Sequence, residues 1–317
     1  SVYHVDGIWH NAVNFHNTCY CNRCREDYRK KTGKEIPVKN SSLKEWEEYY
    51  KWNEGVAERQ LALMRSTIKK YGEDKTYAAE VFDMYRIEQQ KQTGISFYSV
   101  AEYFDFLVIV AFMADNTAEI EYKDIYYPSA IVKFLKSLKP EKAPVILFGG
   151  NGTDHRYIYA SPVDTRLWLW EAAASGGGFW NCYFNGSFPA NAPDSRNAFI
   201  TKDAYKYLDD NTDFLQHLQP VTDIGVMYSK ISGEISGDSD FELSMRGVQK
   251  FLAENHYQYG FVSDRQITAE KLRQFKLLIL PDVVALSDEQ IKVIEDWVKS
   301  GGKIISSFKT SQSDEKN

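Results

Sequence analysis

Val5-Asp6-Gly7-Ile8-Trp9-His10-Asn11 is a short apolar run that ends in ring-bearing and amide side chains, and Cys19-Tyr20-Cys21-Asn22-Arg23-Cys24 follows it. Side chains at the carboxyl end of a parallel strand face the crevice where α/β folds bind ligands. Trp9, His10 and Asn11 therefore read as strand-end residues of a site, whereas Asp6 opens the strand and reads as structural. The chain shows no initiator Met and no leader helix, so its first ordered feature resembles an active-site strand met in mid-domain.

Working outward, strand-like and helix-like segments alternate over residues 1–220. Five short apolar or β-branched runs read as strands buried on both faces: Val5–His10, Thr76–Phe82, Phe104–Phe112, Pro144–Phe148 and Gly177–Phe184. Amphipathic stretches such as Trp46–Tyr71 and Ala130–Leu138 lie between them. This order predicts parallel βα units. Five units are too few to close an eight-stranded barrel, which takes about 250 residues.

A second region starts near Val221. Asp223–Tyr228 reads as a strand, and Phe241, Met245, Val248 and Leu252 recur on one face of a helix. Lys276-Leu277-Leu278-Ile279-Leu280-Pro281 is a buried strand stopped by proline. Ser287 with Gln290 forms a capping box, and the helix behind it puts Ile291, Ile294, Trp297 and Val298 on one face. It ends at Gly301-Gly302, where a left-handed cap is easy. Lys303–Ser307 is the next strand. The pattern is an open, doubly wound α/β domain whose sheet is cut off before completion, and the polar tail Ser311–Asn317 follows. No repeats are visible.

The 317 residues favour two domains. Hydrophobic residues make up 43% and charged residues 26%, ordinary for a globular protein with a sizeable core. A net charge of -6 argues against a nucleic-acid surface. No apolar run reaches the roughly 18 residues that a membrane span requires. Aromatics are abundant at 15%, including 21 Tyr and 7 Trp. Rings set among Asn, Asp and His suit a carbohydrate cleft, since sugars stack on rings and hydrogen-bond through hydroxyls, although rings also serve as core. Gly149-Gly150-Asn151-Gly152 lacks the Lys and the spacing of a phosphate loop. Three of the 4 cysteines cluster at Cys19, Cys21 and Cys24, which is not a disulfide framework. They suit structural zinc, with reduced thiols as the alternative, while Cys182 reads as a small buried hydrophobe. Localisation stays open, with the cytoplasm favoured.

Asp6-Gly7-Ile8, the Cys19-Tyr20-Cys21-x-x-Cys24 cluster and the basic helix running into Gly33 and Pro37 resemble the middle of a glycoside-hydrolase TIM barrel. The nearest groups are the family forty-two β-galactosidases and the hypothetical glycosyl hydrolases that share their architecture. Pro162-x-x-x-Arg166-Leu167-Trp168 through Ala172-x-Ala174-x-Gly176 to Phe184 is similar to their last barrel unit. Residues 221–317 resemble the β-galactosidase trimerisation domain, a glutamine-amidotransferase-like Rossmann-type fold, in Leu278-Ile279-Leu280-Pro281 and Trp297-Val298-x-x-Gly301-Gly302. The resemblance implies strands four to eight of a TIM (β/α)8 barrel in 1–220 and an assembly domain in 221–317, with the fold incomplete at both ends. It also implies a homo-oligomer, a trimer or a dimer.

Glycosidases of this kind use two carboxylates flanking the glycosidic bond. In the β-galactosidases a Glu follows an Asn at the end of strand four; here Asn11 is followed by Ala12. Their nucleophilic Glu ends strand seven; here that strand runs Val145-Ile146-Leu147-Phe148-Gly149-Gly150-Asn151. An α-amylase-like pattern places Asn11 at the nucleophile position, Glu80 as general acid and Asp154 as transition-state stabiliser, with Asp83 and Asp115 as spare carboxylates. Glu80 could equally pair with Arg or Lys, and Asp154 could be a solvated loop residue. Trp9, His10, Asn11, His16, Asp83, Asn151, Trp180, Asn181 and Asn185 are the substrate-binding candidates, and tight core packing competes for Trp180. In the β-galactosidases a fourth zinc-binding Cys lies upstream. No amidotransferase nucleophile follows Gly225, and no cofactor is needed for the chemistry. The expected activity is hydrolysis of an O-glycosidic bond in an oligo- or monosaccharide. The alternative is an inactive relative that binds sugar or serves assembly.

Overall fold

The computed structural model describes residues 4–11, 18–81, 84–113, 125–148, 160–182, 196–216, 218–236 and 238–314. Two compact units are present, Ser1–Val81 with Arg86–Asp105, and Phe82–Tyr85 with Phe106–Asn317.

The first unit runs β1 (Gly7–His10), α1 (Asn22–Thr32), α2 (Leu43–Lys69), β2 (Thr76–Val81), α3 (Ile87–Thr93) and α4 (Phe97–Tyr103). β1 and β2 pair in parallel, with Ile8 opposite Tyr77, Trp9 opposite Ala78 and His10 opposite Ala79. Ser42 opens α2 through a capping box with Glu45. α1 stops at Gly33, whose φ of 72° is left-handed and lets its N–H close on the Arg29 carbonyl. Tyr28, Tyr49 and Trp52 form the buried aromatic core between α1 and α2. Tyr28 meets Trp52 edge-on at 5.3 Å, and the Trp52 indole donates to Asp27 at 2.9 Å.

Phe104 is not part of a strand. It caps α4 and packs edge-on against Tyr77 at 4.9 Å. The next residue explains why the strand starts later than the apolar pattern suggests. The Asp105 carboxylate accepts the Tyr77 N–H at 2.7 Å and pairs with Arg65 at 3.0 Å and Lys69 at 3.2 Å. That anchor, made to residues distant in sequence, fixes 104–105 as a connection.

The second unit opens with β3 (Val108–Ala111), α5 (Tyr127–Leu138), β4 (Val145–Phe148), α6 (Pro162–Ala174) and β5 (Gly178–Asn181). These strands are parallel, with Val110 opposite Leu147 and Leu147 opposite Trp180. Short helices follow: α7 (Arg196–Phe199), α8 (Lys202–Asp210) and α9 (Thr212–Leu215). Then come β6 (Ile224–Tyr228), α10 (Lys230–Ser236), α11 (Asp238–Glu254), β7 (Tyr259–Ser263), α12 (Ala269–Leu272), β8 (Leu277–Pro281), α13 (Asp288–Lys299) and β9 (Lys303–Ser307). Their all-parallel sheet has the order β7-β6-β8-β9, a doubly wound arrangement.

The same unit is held together by α5. Phe134 lies 4.4 Å from Tyr228 and 5.6 Å from Phe261, and the Lys133 ammonium sits 4.3 Å over the Tyr259 ring. On α11, Phe241, Met245 and Leu252 are buried, and Phe241 meets Tyr228 edge-on. Ser287 and Gln290 form the expected capping box on α13, which buries Ile294 and Trp297. Gly302 is required by close approach, because a Cβ there would lie 2.4 Å from the Trp297 ring. Among the described residues no helix is long and apolar enough to cross a membrane.

Candidate functional site

Glu80 is the next-to-last residue of β2 and is half-buried. With the Asn11 amide turned so that its nitrogen faces the carboxylate, Asn11 donates to Glu80 Oε1 at 2.5 Å and to Oε2 at 3.3 Å. Extending the β1–β2 register by one residue places the two side by side. Side chains alternate along a strand, so Trp9, Asn11, Ala78 and Glu80 share one face. Ile8, His10, Tyr77 and Ala79 share the other. Ile8 lines a cavity with Thr67, Ile68 and Tyr71 at the end of α2. The Glu80 face is therefore the one turned away from that helix.

His10 lies on the opposite face, with Nδ1 3.4 Å from the Tyr77 hydroxyl. Burial pushes the Tyr77 hydroxyl up to about 12, so it stays protonated at neutral pH. Its contact with His10 depends on the strand register, which no local pattern reveals.

At the end of β5, the same parity separates two neighbours. Phe148 packs against both Phe179 and Trp168 of α6, so the face that Phe148 and Phe179 share with Asn181 looks toward the helices. The Asn181 Nδ2 donates to Thr201 at 3.3 Å and its N–H to the Tyr205 hydroxyl at 3.1 Å. Tyr205 in turn donates to the Phe179 carbonyl at 2.7 Å. This network joins the strand end to α8. Trp180 lies on the other face and is 47% exposed, an accessible ring rather than a packed one.

The Sγ atoms of Cys19, Cys21 and Cys24 lie within 4.8 Å of one another. Tetrahedral zinc with Zn–S bonds of about 2.3 Å needs sulfurs about 3.8 Å apart, so the three thiols fit that ion. Among the described residues no fourth His, Cys, Asp or Glu joins them. Cys21 precedes α1, and the Cys24 N–H, followed by the Cys19 and Cys24 thiols, lowers its pKa. Burial, then hydrogen bonds with Cys19 and Cys21, push the Cys24 thiol up to about 12. Cys24 packs on the Tyr28–Trp52 aromatic core, which gives the cluster a firm base. Cys182 is partly exposed.

His16, Asp83, Asp115, Asn151, Asp154 and Asn185 lie outside the described residues. Of the catalytic and substrate-binding candidates, the structure brings Asn11 and Glu80 together.

No protein-family model matches this chain, and no curated protein does. Solved structures do. The β-galactosidase from Rahnella sp. R3 superposes with a TM-score of 0.75 at 12% identity, over 98% of this chain and 52% of its own. The β-galactosidase from Bacillus circulans sp. alkalophilus gives 0.71 at 14% identity, over 97% and 52%. An α-L-fucosidase from Paenibacillus thiaminolyticus gives 0.68 at 15% identity, over 96% and 42%. This chain shares its fold, part of a TIM barrel, with these glycoside hydrolases, and it spans about half the length of the β-galactosidases it matches.

Proposed function

We propose that this chain belongs to a glycoside hydrolase in which Glu80 is the general acid. The observation that carries the reading is the hydrogen bond between Asn11 and Glu80 at adjacent ends of parallel strands. This is where barrel enzymes keep their reacting groups. Glu80 would protonate the departing glycosidic oxygen, and a second carboxylate would stabilise or trap the oxocarbenium-like centre. That second role is assigned to Asp154, with Asp83 as its substitute. Asn11 holds the Glu80 carboxyl by its nitrogen and leaves its carbonyl oxygen able to accept a sugar hydroxyl. Trp9 and Trp180 supply rings for stacking, and His16, Asn151 and Asn185 complete the polar set, while His10 and Asn181, turned to the opposite strand faces, stay outside it.

The proposal extends to the architecture. Residues 1–220 correspond to barrel strands four to eight, and 221–317 to an amidotransferase-like assembly domain that makes a homo-oligomer, trimer or dimer. Cys19, Cys21 and Cys24 would hold a structural zinc, which supplies a cross-link at the start of α1 and no chemistry. The substrate is an oligo- or monosaccharide. Hydrolysis of a panel of aryl glycosides by the full-length protein tests the activity.

One observation favours a second reading. The residue at the nucleophile position is the neutral Asn11, and it occupies the Glu80 carboxylate directly. A sugar-binding or assembly protein without turnover would show the same pair. It would bind sugars in calorimetry and hydrolyse none of the panel.

A further inference from the structure

We propose that the second unit carries a binding pocket for a small carboxylate or phosphate anion, built around Lys136 at the amino-terminal end of β5. A cavity of about 420 Å³ opens there, lined by Lys136, Lys142, Gly176, Phe179, Thr212 and Gln216 among others. Its size falls in the range of small-molecule clefts, roughly 300–1,000 Å³.

Lys136 is the unusual member. It lies in the last turn of α5 yet is only 4% exposed, and no carboxylate or hydrogen-bond acceptor among the described residues holds its ammonium. An ammonium has three donors and no acceptor. Its stem is packed and its ammonium keeps little water, a deficit that an anion in the cavity would make good. Burial, with nothing opposing it, lowers the Lys136 pKa. The acidic residue of the lining, Glu141, is engaged by Lys139 at 3.4 Å. The cavity wall therefore keeps two cationic groups, Lys136 and Lys142, with Thr212, Gln216 and Gln219 as neutral polar neighbours.

The two glycines before the strand make room for this arrangement. A Cβ on Gly176 would lie 3.5 Å from the Lys136 Cδ and 3.2 Å from the Leu218 carbonyl, at a φ of +82°. A Cβ on Gly177 would lie 2.7 Å from Val132. A side chain at Gly176 would be strained by that φ, and one at Gly177 would displace Val132. Because Gly178 begins β5 and Trp180 and Asn181 end it, the cavity is at the opposite end of the strand from the sugar-site candidates. Its function does not rest on glycosidase activity.

Inorganic phosphate and citrate, each against chloride at matched ionic strength, are the probes for thermal unfolding and calorimetry of the whole protein. At least one of them raises the Tm saturably and binds with measurable heat, and which one succeeds separates phosphate from carboxylate. In Lys136→Met the saturable shift is lost, and the anion-free Tm equals or exceeds that of the wild type. Lys142→Ala weakens binding several-fold without abolishing it. Should Lys136→Met not fold, amine acylation of the wild type read by mass spectrometry decides the matter. The anion then protects Lys136 and leaves Lys139 unchanged. No saturable response to either anion, a Tm rise shared by Lys136→Met as a general salt effect, or uniform lysine acylation with and without anion would each overturn the proposal.

Discussion

With its amide turned to face the carboxylate, Asn11 places its nitrogen 2.5 Å from Glu80 Oε1, joining the ends of two neighbouring parallel strands. A donor at this distance stabilises the ionised carboxylate over the acid. In the proposed chemistry the bond restrains both the orientation of Glu80 and the pH at which it gives up its proton. Asn11→Ala removes the donor without adding charge. Its kcat/KM on aryl glycosides falls about 10- to 100-fold, the equivalent of one hydrogen bond to a charged group, and the alkaline limb of the pH–rate profile, which reports the general acid, moves to higher pH. An unchanged profile with full activity would remove Asn11 from the site.

Asp105 ties α2 to β2 and makes stability depend on acid. Burial opposes its ionisation, but the Tyr77 N–H, Lys69 and Arg65 outweigh burial and lower its pKa. A carboxyl group lowered on folding contributes fully above its unfolded-state value of about 3.9 and loses that contribution as pH falls through the folded value. Urea unfolding therefore shows stability flat above about pH 5 and falling below it. In Asp105→Asn the acid-side slope is shallower, and about 1–3 kcal/mol is lost at neutral pH.

Packing in the doubly wound sheet yields a sharper test of a single atom. Gly302→Ala places a methyl 2.4 Å from Trp297, and overpacking of this kind costs about 1–3 kcal/mol. Ser287→Ala, which only removes the α13 cap, costs about 1 kcal/mol. Chemical denaturation ranks the two. If Gly302→Ala proves neutral, the close approach of Gly302 to Trp297 is wrong.

Much of this fold was legible in the chain because its strands are short apolar runs and its helices carry explicit caps. Val145–Phe148, Leu277–Pro281 and the Ser287 capping box appear as the local pattern predicts. Phe104 was not legible. It continues an apolar run, and only Asp105, anchored by Arg65, Lys69 and the Tyr77 N–H, shows that the strand has yet to begin. The site was readable as strand ends but not as faces. His10 and Asn11 are adjacent in sequence yet fall on opposite sides of β1, and Trp180 and Asn181 divide in the same way. Asn181 reads as a free amide donor in the chain, but Thr201, twenty residues later, takes one of its hydrogens.

The cysteine cluster makes a compositional prediction. The full-length protein purifies with zinc, and Cys24→Ser releases most of it, as measured by elemental analysis. A chelator lowers the Tm of the wild type and leaves that of Cys24→Ser nearly unchanged, since metal affinity is converted into folding stability. A metal-free wild type whose Tm ignores the chelator would identify the three groups as plain thiols.

The central claim is that Glu80 is the acid of a glycosidase, and Glu80→Gln tests it with almost no change of shape. On the full-length protein, the wild type hydrolyses at least one aryl glycoside of a broad panel. Glu80→Gln retains the wild-type Tm within a few degrees, and its kcat falls about 10²- to 10⁴-fold on substrates with poor leaving groups. The loss is much smaller on activated leaving groups such as dinitrophenol, which depart without a proton. Equal kcat values for Glu80→Gln and wild type on poor leaving groups, or a wild type that turns over nothing while binding sugar, would contradict the account.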